Sequence, residues 1–182
     1  MRVISGSCRG KNLVSIQGRR IRPTSDRVKE AIYNIIGSKI KGSRTLDLFS
    51  GTGALGIEAL SRGASRVVFM DIVCDTIHDN LEHCRLKENA IVIAADILKS
   101  NGLELISDQG FDLVFIDPPY GKGDIEQVLK KQTFVDLLNE NSIIIAEHAA
   151  RENLDISHTA LDIYRQKKYS KTMISFIKKR TK

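Results

Sequence analysis

The sequence predicts an α/β fold, a mostly parallel sheet with helices packed on both faces. Three observations lead there. From Thr45 onward, short β-prone runs alternate with stretches of helical periodicity. The run from Phe111 to Ile116 is almost continuously apolar, as a strand covered on both faces should be. The chain has 182 residues, enough for one such domain with a single core and few for two.

Taken in order, residues 2–5 and 12–16 are short β-prone runs joined by Gly6-Ser7-Cys8-Arg9-Gly10-Lys11, which predicts an N-terminal hairpin. A basic connector, Gly18-Arg19-Arg20-Ile21-Arg22-Pro23, leads to Thr24 or Ser25 as the cap of a helix running to about Ser38. Val28, Ala31, Ile32, Ile35 and Ile36 share one face of it. Residues 45–49 form a strand, followed by a Gly-rich turn and a helix through Leu60. Residues 66–70 are the second strand and residues 73–87 the helix after it. The third strand spans residues 90–94, with a helix expected over 97–106. The fourth is 111–116, the next helix about 125–138, and the fifth strand 142–146. Two β-prone stretches, near 159–166 and 171–177, close the chain. Such a sheet presents ligand sites at the carboxyl ends of its strands.

Composition narrows the function. Apolar residues at 42% and charged residues at 27% fit an ordinary globular protein. No apolar run approaches a bilayer-crossing length and the start lacks a signal-peptide core, so a cytoplasmic protein is expected. Cys8, Cys74 and Cys84 are odd in number and lack C-x-x-C spacing, and no histidine completes a ligand set with them, which argues against a disulfide framework and a metal site. The net charge of +6 is unevenly spread. Residues 1–44 carry eleven basic and two acidic side chains, residues 45–164 nine and twenty, and residues 165–182 eight and none. Two basic ends around an acidic middle suit a phosphate-binding surface beside a different site, although such runs are most often just solvated.

Gly51-Thr52-Gly53-Ala54-Leu55-Gly56 is a G-x-G-x-x-G turn between strand and helix, with Asp71 twenty residues on at the end of the next strand. That pattern also serves dinucleotides. Asp47, in the strand just ahead of the turn, argues otherwise: a carboxylate aimed at the pocket repels pyrophosphate and attracts the ammonium and sulfonium of S-adenosylmethionine. Gly51 and Gly53 then allow close backbone approach, Asp71 accepts from the ribose hydroxyls and Asp96 meets the adenine amino group. Phe49, Ile72 and Ile97 complete the expected cofactor set. A helix N-cap is the plainer alternative for Asp71 and Asp96.

Asp117-Pro118-Pro119-Tyr120 directly follows the fourth strand. Consecutive prolines make a stiff, extended loop whose carbonyls only accept. A conjugated exocyclic amine must pyramidalise before it attacks a methyl group, and the Asp117 carboxylate and Pro118 carbonyl are suitable acceptors for its hydrogens. Tyr120 offers a face on which an extruded base can stack. Alone the tetrapeptide could be a turn after a core strand; placed beside a G-x-G turn it points to amino methylation of a nucleic-acid base.

With these residues in view, the chain resembles the RsmD-type bacterial family that methylates guanine N2 in 16S rRNA of the small ribosomal subunit. The likeness runs through residues 2–6 and 9–13, residues 22–34, residues 46–64, Ala146-Glu147 and residues 168–172. Asp71 stands where the family usually has Glu. The resemblance implies a class I methyltransferase Rossmann-like fold with seven strands, the last antiparallel. It implies residues 1–22 as a basic, RNA-facing hairpin extension and residues 23–182 as the S-adenosylmethionine-dependent domain. It implies catalysis by Asp117, Pro118, Pro119 and Tyr120, and a monomer acting at the guanine(966)-N(2) type of position in 30S particles or their precursors. The expected RNA contacts are Arg2, Arg9, Lys11, Arg19, Arg22, Thr24 and Arg27. Three rivals compete: a DNA amino-methyltransferase, for which 182 residues leave no target-recognition domain; an NAD-dependent oxidoreductase, disfavoured by Asp47; and a non-catalytic RNA-binding protein, which leaves Asp117 to Tyr120 unexplained.

Overall fold

Seven strands form one sheet in the order β3-β2-β1-β4-β5-β7-β6: β1 Arg44–Leu48, β2 Arg66–Asp71, β3 Ala90–Ala94, β4 Phe111–Ile116, β5 Leu138–Ala149, β6 Leu161–Tyr169 and β7 Thr172–Lys179. The computed structural model describes residues 1–15, 25–107 and 109–180. Strands β1 to β5 are parallel to one another, and β7 runs antiparallel to both β5 and β6. Helices α1 Asp26–Ile36, α2 Ala54–Ser61 and α3 Asp75–Cys84 cover one face; α4 Asp124–Leu129 and α5 Gln132–Asp136 cover the other.

The strands alternate their side chains between two cores. Leu46 and Leu48 of β1 join Val114 and Ile116 of β4 on the α4–α5 side, while Leu113 and Phe115 join Ile32, Ile57 and Phe69 on the α1–α3 side. The alternation puts Asp47, with Thr45, on the α1–α3 side. Gly56 of α2 crosses β2 so closely that a Cβ there would lie 2.2 Å from the Phe69 ring.

Several elements depart from expectation. The first helix has one of its two expected caps, the Ser25 hydroxyl, which accepts from the Val28 N–H, but its buried face also includes Lys29 and Tyr33. The helix expected over 97–106 is reduced to a 3-10 turn at Leu103–Leu105. The carbonyls of Ile97, Leu98 and Lys99 accept instead from the Lys131 ammonium at 2.8–3.0 Å, and Gly102 packs where a Cβ would meet the Asp96 carbonyl. The helix expected over 125–138 breaks into α4 and α5 at Lys131, whose backbone is extended and whose ammonium makes those same bonds. The fifth strand is longer than expected and runs into Ala149.

The N-terminal hairpin is short, with one bridge between Arg2 and Asn12. Further backbone bonds tie its two arms together, and other N–H groups turn to the domain: Ile4 and Ser5 N–H donate to Glu58, Cys8 N–H to the Ser61 hydroxyl, Val14 N–H to Asn80. Lys29 and Glu58, both fully buried, pair at 3.1 Å, and the Lys29 ammonium also donates to the Arg2 carbonyl.

Candidate functional site

Five strands end on the same edge of the sheet, and each delivers a polar residue there. Between β1 and α2 the chain turns through Phe49, whose left-handed φ of 58° is uncommon for a residue with a side chain. Ser50 holds the turn to β2: its hydroxyl accepts from the Met70 N–H at 3.0 Å and donates to the Asp47 carbonyl. Gly51 N–H donates to Asp71 Oδ2 at 2.8 Å, and Asp71 Oδ1 accepts from Ile72 N–H at 2.7 Å. Asn80 of α3, fully buried, donates to the Thr52 carbonyl. The turn is thus fastened from both flanks before any ligand arrives.

Asp47 differs from its expected role. Its side chain is 1% exposed and accepts from the Gly56 N–H at 2.8 Å, under α2 rather than toward the pocket. Strand parity puts it there. Burial, and after it the charge of Asp71, push its carboxyl up to about 8, against the pull of the Gly56 N–H. The folded chain keeps a proton that the unfolded chain has released, so this residue makes stability fall as pH rises from 3.8 to about 8. Asp47→Asn is expected to flatten that slope. Urea unfolding across the pH range checks it, and a slope equal to that of the parent would place the titration elsewhere.

The edge now carries its open charge at Asp71 and Asp96. Asp71 is half-buried, and Ile72 beside it is 66% exposed, a large apolar side chain facing solvent at the mouth of the edge. Asp96 Oδ1 accepts from Leu98 N–H at 3.0 Å, so it caps a turn. Ile97 is 2% exposed and belongs to the α4–α5 core. A Cβ added at Gly51 would meet nothing within 4 Å, so space lies open above the turn. Carboxylate, apolar face and open backbone fit an adenosine-type cofactor.

Asp117 begins the next turn, its N–H donating to the Leu48 carbonyl at 3.4 Å, so the Asp-Pro-Pro-Tyr loop starts against the end of β1, beside the Gly-rich turn. Pro118 is buried and Pro119 exposed. The Tyr120 hydroxyl donates to Glu147 Oε1 at 2.8 Å and lies 3.1 Å from the Thr172 hydroxyl. Burial and the Glu147 carboxylate push the phenol well above its ordinary value, so it stays a donor. Glu147, Thr172, Ser50 and Asn80 are supporting residues that sequence reasoning did not single out; the likenesses over Ala146-Glu147, residues 168–172 and residues 46–64 touched the first three without giving them a role.

The basic N-terminal residues fall elsewhere. Ser7 N–H bonds the Ser61 carbonyl at the end of α2, and Lys11 Nζ bonds the His83 carbonyl in the last turn of α3 at 2.8 Å. Both helices run back from the carboxyl edge, so Arg9 and Lys11 lie toward the opposite edge. Arg2 pairs with Asp26 at 3.3 Å, and Arg27 is exposed. Arg19, Arg22 and Thr24 lie outside the described residues.

The model of the family described as conserved hypothetical protein 95 matches residues 1–178. A Bacillus subtilis (strain 168) protein, YlbH, named as a candidate rRNA methyltransferase, is 38% identical over 183 residues, covering 99% of this chain and all of that protein. Ribosomal RNA small subunit methyltransferase D of Haemophilus influenzae is 32% identical over 81% of this chain and 78% of its own length. The solved structure of yhhF, a candidate methyltransferase from Escherichia coli, superposes with a TM-score of 0.80 at 28% identity, covering 100% of this chain and 99% of that one.

Proposed function

The chain belongs to the RsmD-type methyltransferase family described as conserved hypothetical protein 95, and from that premise we propose that it moves a methyl group from S-adenosylmethionine to the exocyclic N2 amine of a guanine in 16S rRNA, at the 966 type of position, presented by a 30S particle or its precursor. One observation supports the chemistry above others: the Asp117 N–H bond to Leu48 sets the amine-acceptor loop directly beside the Gly-rich turn. The substrate class follows the names of the relatives, one an rRNA methyltransferase candidate and one a small-subunit rRNA methyltransferase.

S-adenosylmethionine supplies an already activated methyl on a sulfonium, so no nucleophilic side chain is required. Asp71 would accept from the ribose hydroxyls and Ile72 would lie against the adenine, with Asp96 beyond them on the same edge. The Asp117 carboxylate and the Pro118 carbonyl accept the two amine hydrogens and favour the pyramidal nitrogen whose lone pair can attack. Tyr120, its hydroxyl tied to Glu147, holds the base plane in a fixed orientation. Exposed Arg9 and Arg27 meet phosphates of the large RNA away from the target base.

The deciding experiment offers labelled cofactor to 30S particles from a strain lacking the enzyme, to naked 16S rRNA and to duplex DNA, followed by nucleoside analysis. N2-methylguanine in rRNA or particle is the expected product; label in DNA adenine or cytosine would overturn the substrate. Asp71→Ala is expected to weaken S-adenosylmethionine binding by about 10- to 100-fold, the worth of lost hydrogen bonds to a charged group. Calorimetric titration checks it, and unchanged affinity would remove Asp71 from the cofactor set.

A further inference from the structure

The strand order lays out the carboxyl edge as a line. Asp96, Asp71 and the Gly-rich turn follow β3, β2 and β1; Asp117 to Tyr120 follow β4; beyond Tyr120 come the end of β5 and the β6–β7 turn. The first part is acidic. Past Tyr120 two pockets open: one carries Asp124, Glu126, Glu147 and Glu152, and the other, toward the β6–β7 turn, is basic, lined by Tyr120, Ala149, Arg151, Lys168, Ser170 and Lys171. The three cations are exposed, and among the described residues none of them makes an ion pair. Their backbone is nonetheless well fixed. Ala150 N–H donates to the Lys171 carbonyl at 2.9 Å, Ala149 sits opposite Thr172, and Thr172 touches the Tyr120 hydroxyl.

The geometry points to this pocket as a phosphodiester subsite for the RNA strand that carries the target base, an inference that rests on the base-methylation reading above. With the cofactor on the β1–β3 side of Tyr120, the strand of a base stacked on that ring must leave on the β5–β7 side. A phosphate there meets Arg151, Lys168 and Lys171; on the other side it would meet Asp71 and Asp96. Arginine and lysine differ in kind here, the guanidinium offering two parallel donors to one phosphate and the ammonium groups a diffuse attraction.

The test compares the parent with a triple variant, Arg151→Ala with Lys168→Ala and Lys171→Ala. A control variant removes equal charge at the opposite edge: Lys39→Ala with Lys41→Ala and Lys178→Ala. Binding of a 16S rRNA transcript is followed against salt, with S-adenosylmethionine affinity measured in parallel as a check on folding. The pocket variant is expected to lose about 2 units of log–log salt slope, three contacts at roughly 0.7 each for single-stranded RNA. It should also raise KM for rRNA at least tenfold with cofactor affinity unchanged, while the control keeps the KM of the parent. Equal losses in both variants, or an unchanged slope in the pocket variant, would overturn the subsite. Saturable binding of inorganic phosphate, lost in the pocket variant while the RNA slope stays unchanged, would assign the pocket to a free anion and overturn it as well. Because binding is read independently of transfer, a parent that binds rRNA through this pocket but methylates nothing would sink the base-methylation reading alone.

Discussion

Asp117→Ala is expected to abolish methyl transfer, with kcat down by at least about 10²- to 10³-fold, the range for removing one preorganised group aimed at the transition state. S-adenosylmethionine affinity should be nearly unchanged. The separation follows from geometry. The backbone N–H of Asp117 holds the loop to Leu48, and the substitution leaves that bond intact. Asp71 and the Gly-rich turn are fastened to each other without help from Asp117. The substitution therefore removes an acceptor for the amine hydrogen, while the bond between Gly51 and Asp71 that fastens the cofactor pocket stays in place. Single-turnover transfer to rRNA, with calorimetric titration of cofactor, separates the two. A variant with parental turnover would refute the acceptor role; a variant that also lost cofactor would show Asp117 belonging to both sites.

Glu58→Ala is expected to cost about 3–5 kcal/mol of stability, the usual loss when one partner of a buried ion pair is removed. Glu58 is fully buried and accepts from Ile4 N–H at 2.7 Å, Ser5 N–H at 2.9 Å and Arg62 Nε at 2.7 Å, besides pairing with Lys29. Its loss strands an ammonium in the core and releases the N-terminal hairpin. Replacing both partners by apolar residues, Glu58→Leu with Lys29→Met, should recover a large part of the loss. Urea midpoints with constant slope are the readout. A loss under 1 kcal/mol for the single variant would mean that water reaches Lys29.

What could be read in advance divides along physical lines. The five parallel strands were legible because each is an apolar run bounded by turn residues, and β4 especially so. The two glycines and Asp117 to Tyr120 were legible because turn chemistry is local. The helix expected over 97–106 failed for a reason no local pattern carries: Lys131, more than thirty residues away, takes the carbonyls such a helix would use. Asp47 was located correctly and given the wrong direction, though counting the two-residue period from Leu46 and Leu48 would have turned it inward. Lys29 and Tyr33 were missed because a long cation and a phenol read as surface until a buried carboxylate and the Leu55 carbonyl stand opposite them. The basic ends were noticed, but only the strand order shows that Lys168 and Lys171 reach the carboxyl edge while Arg9 and Lys11 lie toward the other.

The way the N-terminal hairpin is fastened carries a consequence for synthesis. Its partners sit far along the chain: Glu58, Ser61, Asn80 and the His83 carbonyl, fifty to seventy residues downstream. On a translating ribosome, residues 1–15 emerge several seconds before those partners do, at the usual rate of about 5–20 residues per second. During that interval Val3 and Leu13, buried in the finished molecule, have nothing to pack on. The segment therefore cannot lock until residues as far as His83 have emerged, and its docking closes over α2 and α3 only once both have formed. A nascent chain with only the residues up to β2 outside the ribosome should accordingly show the hairpin open to protease, and one with the residues past β3 outside should show it protected.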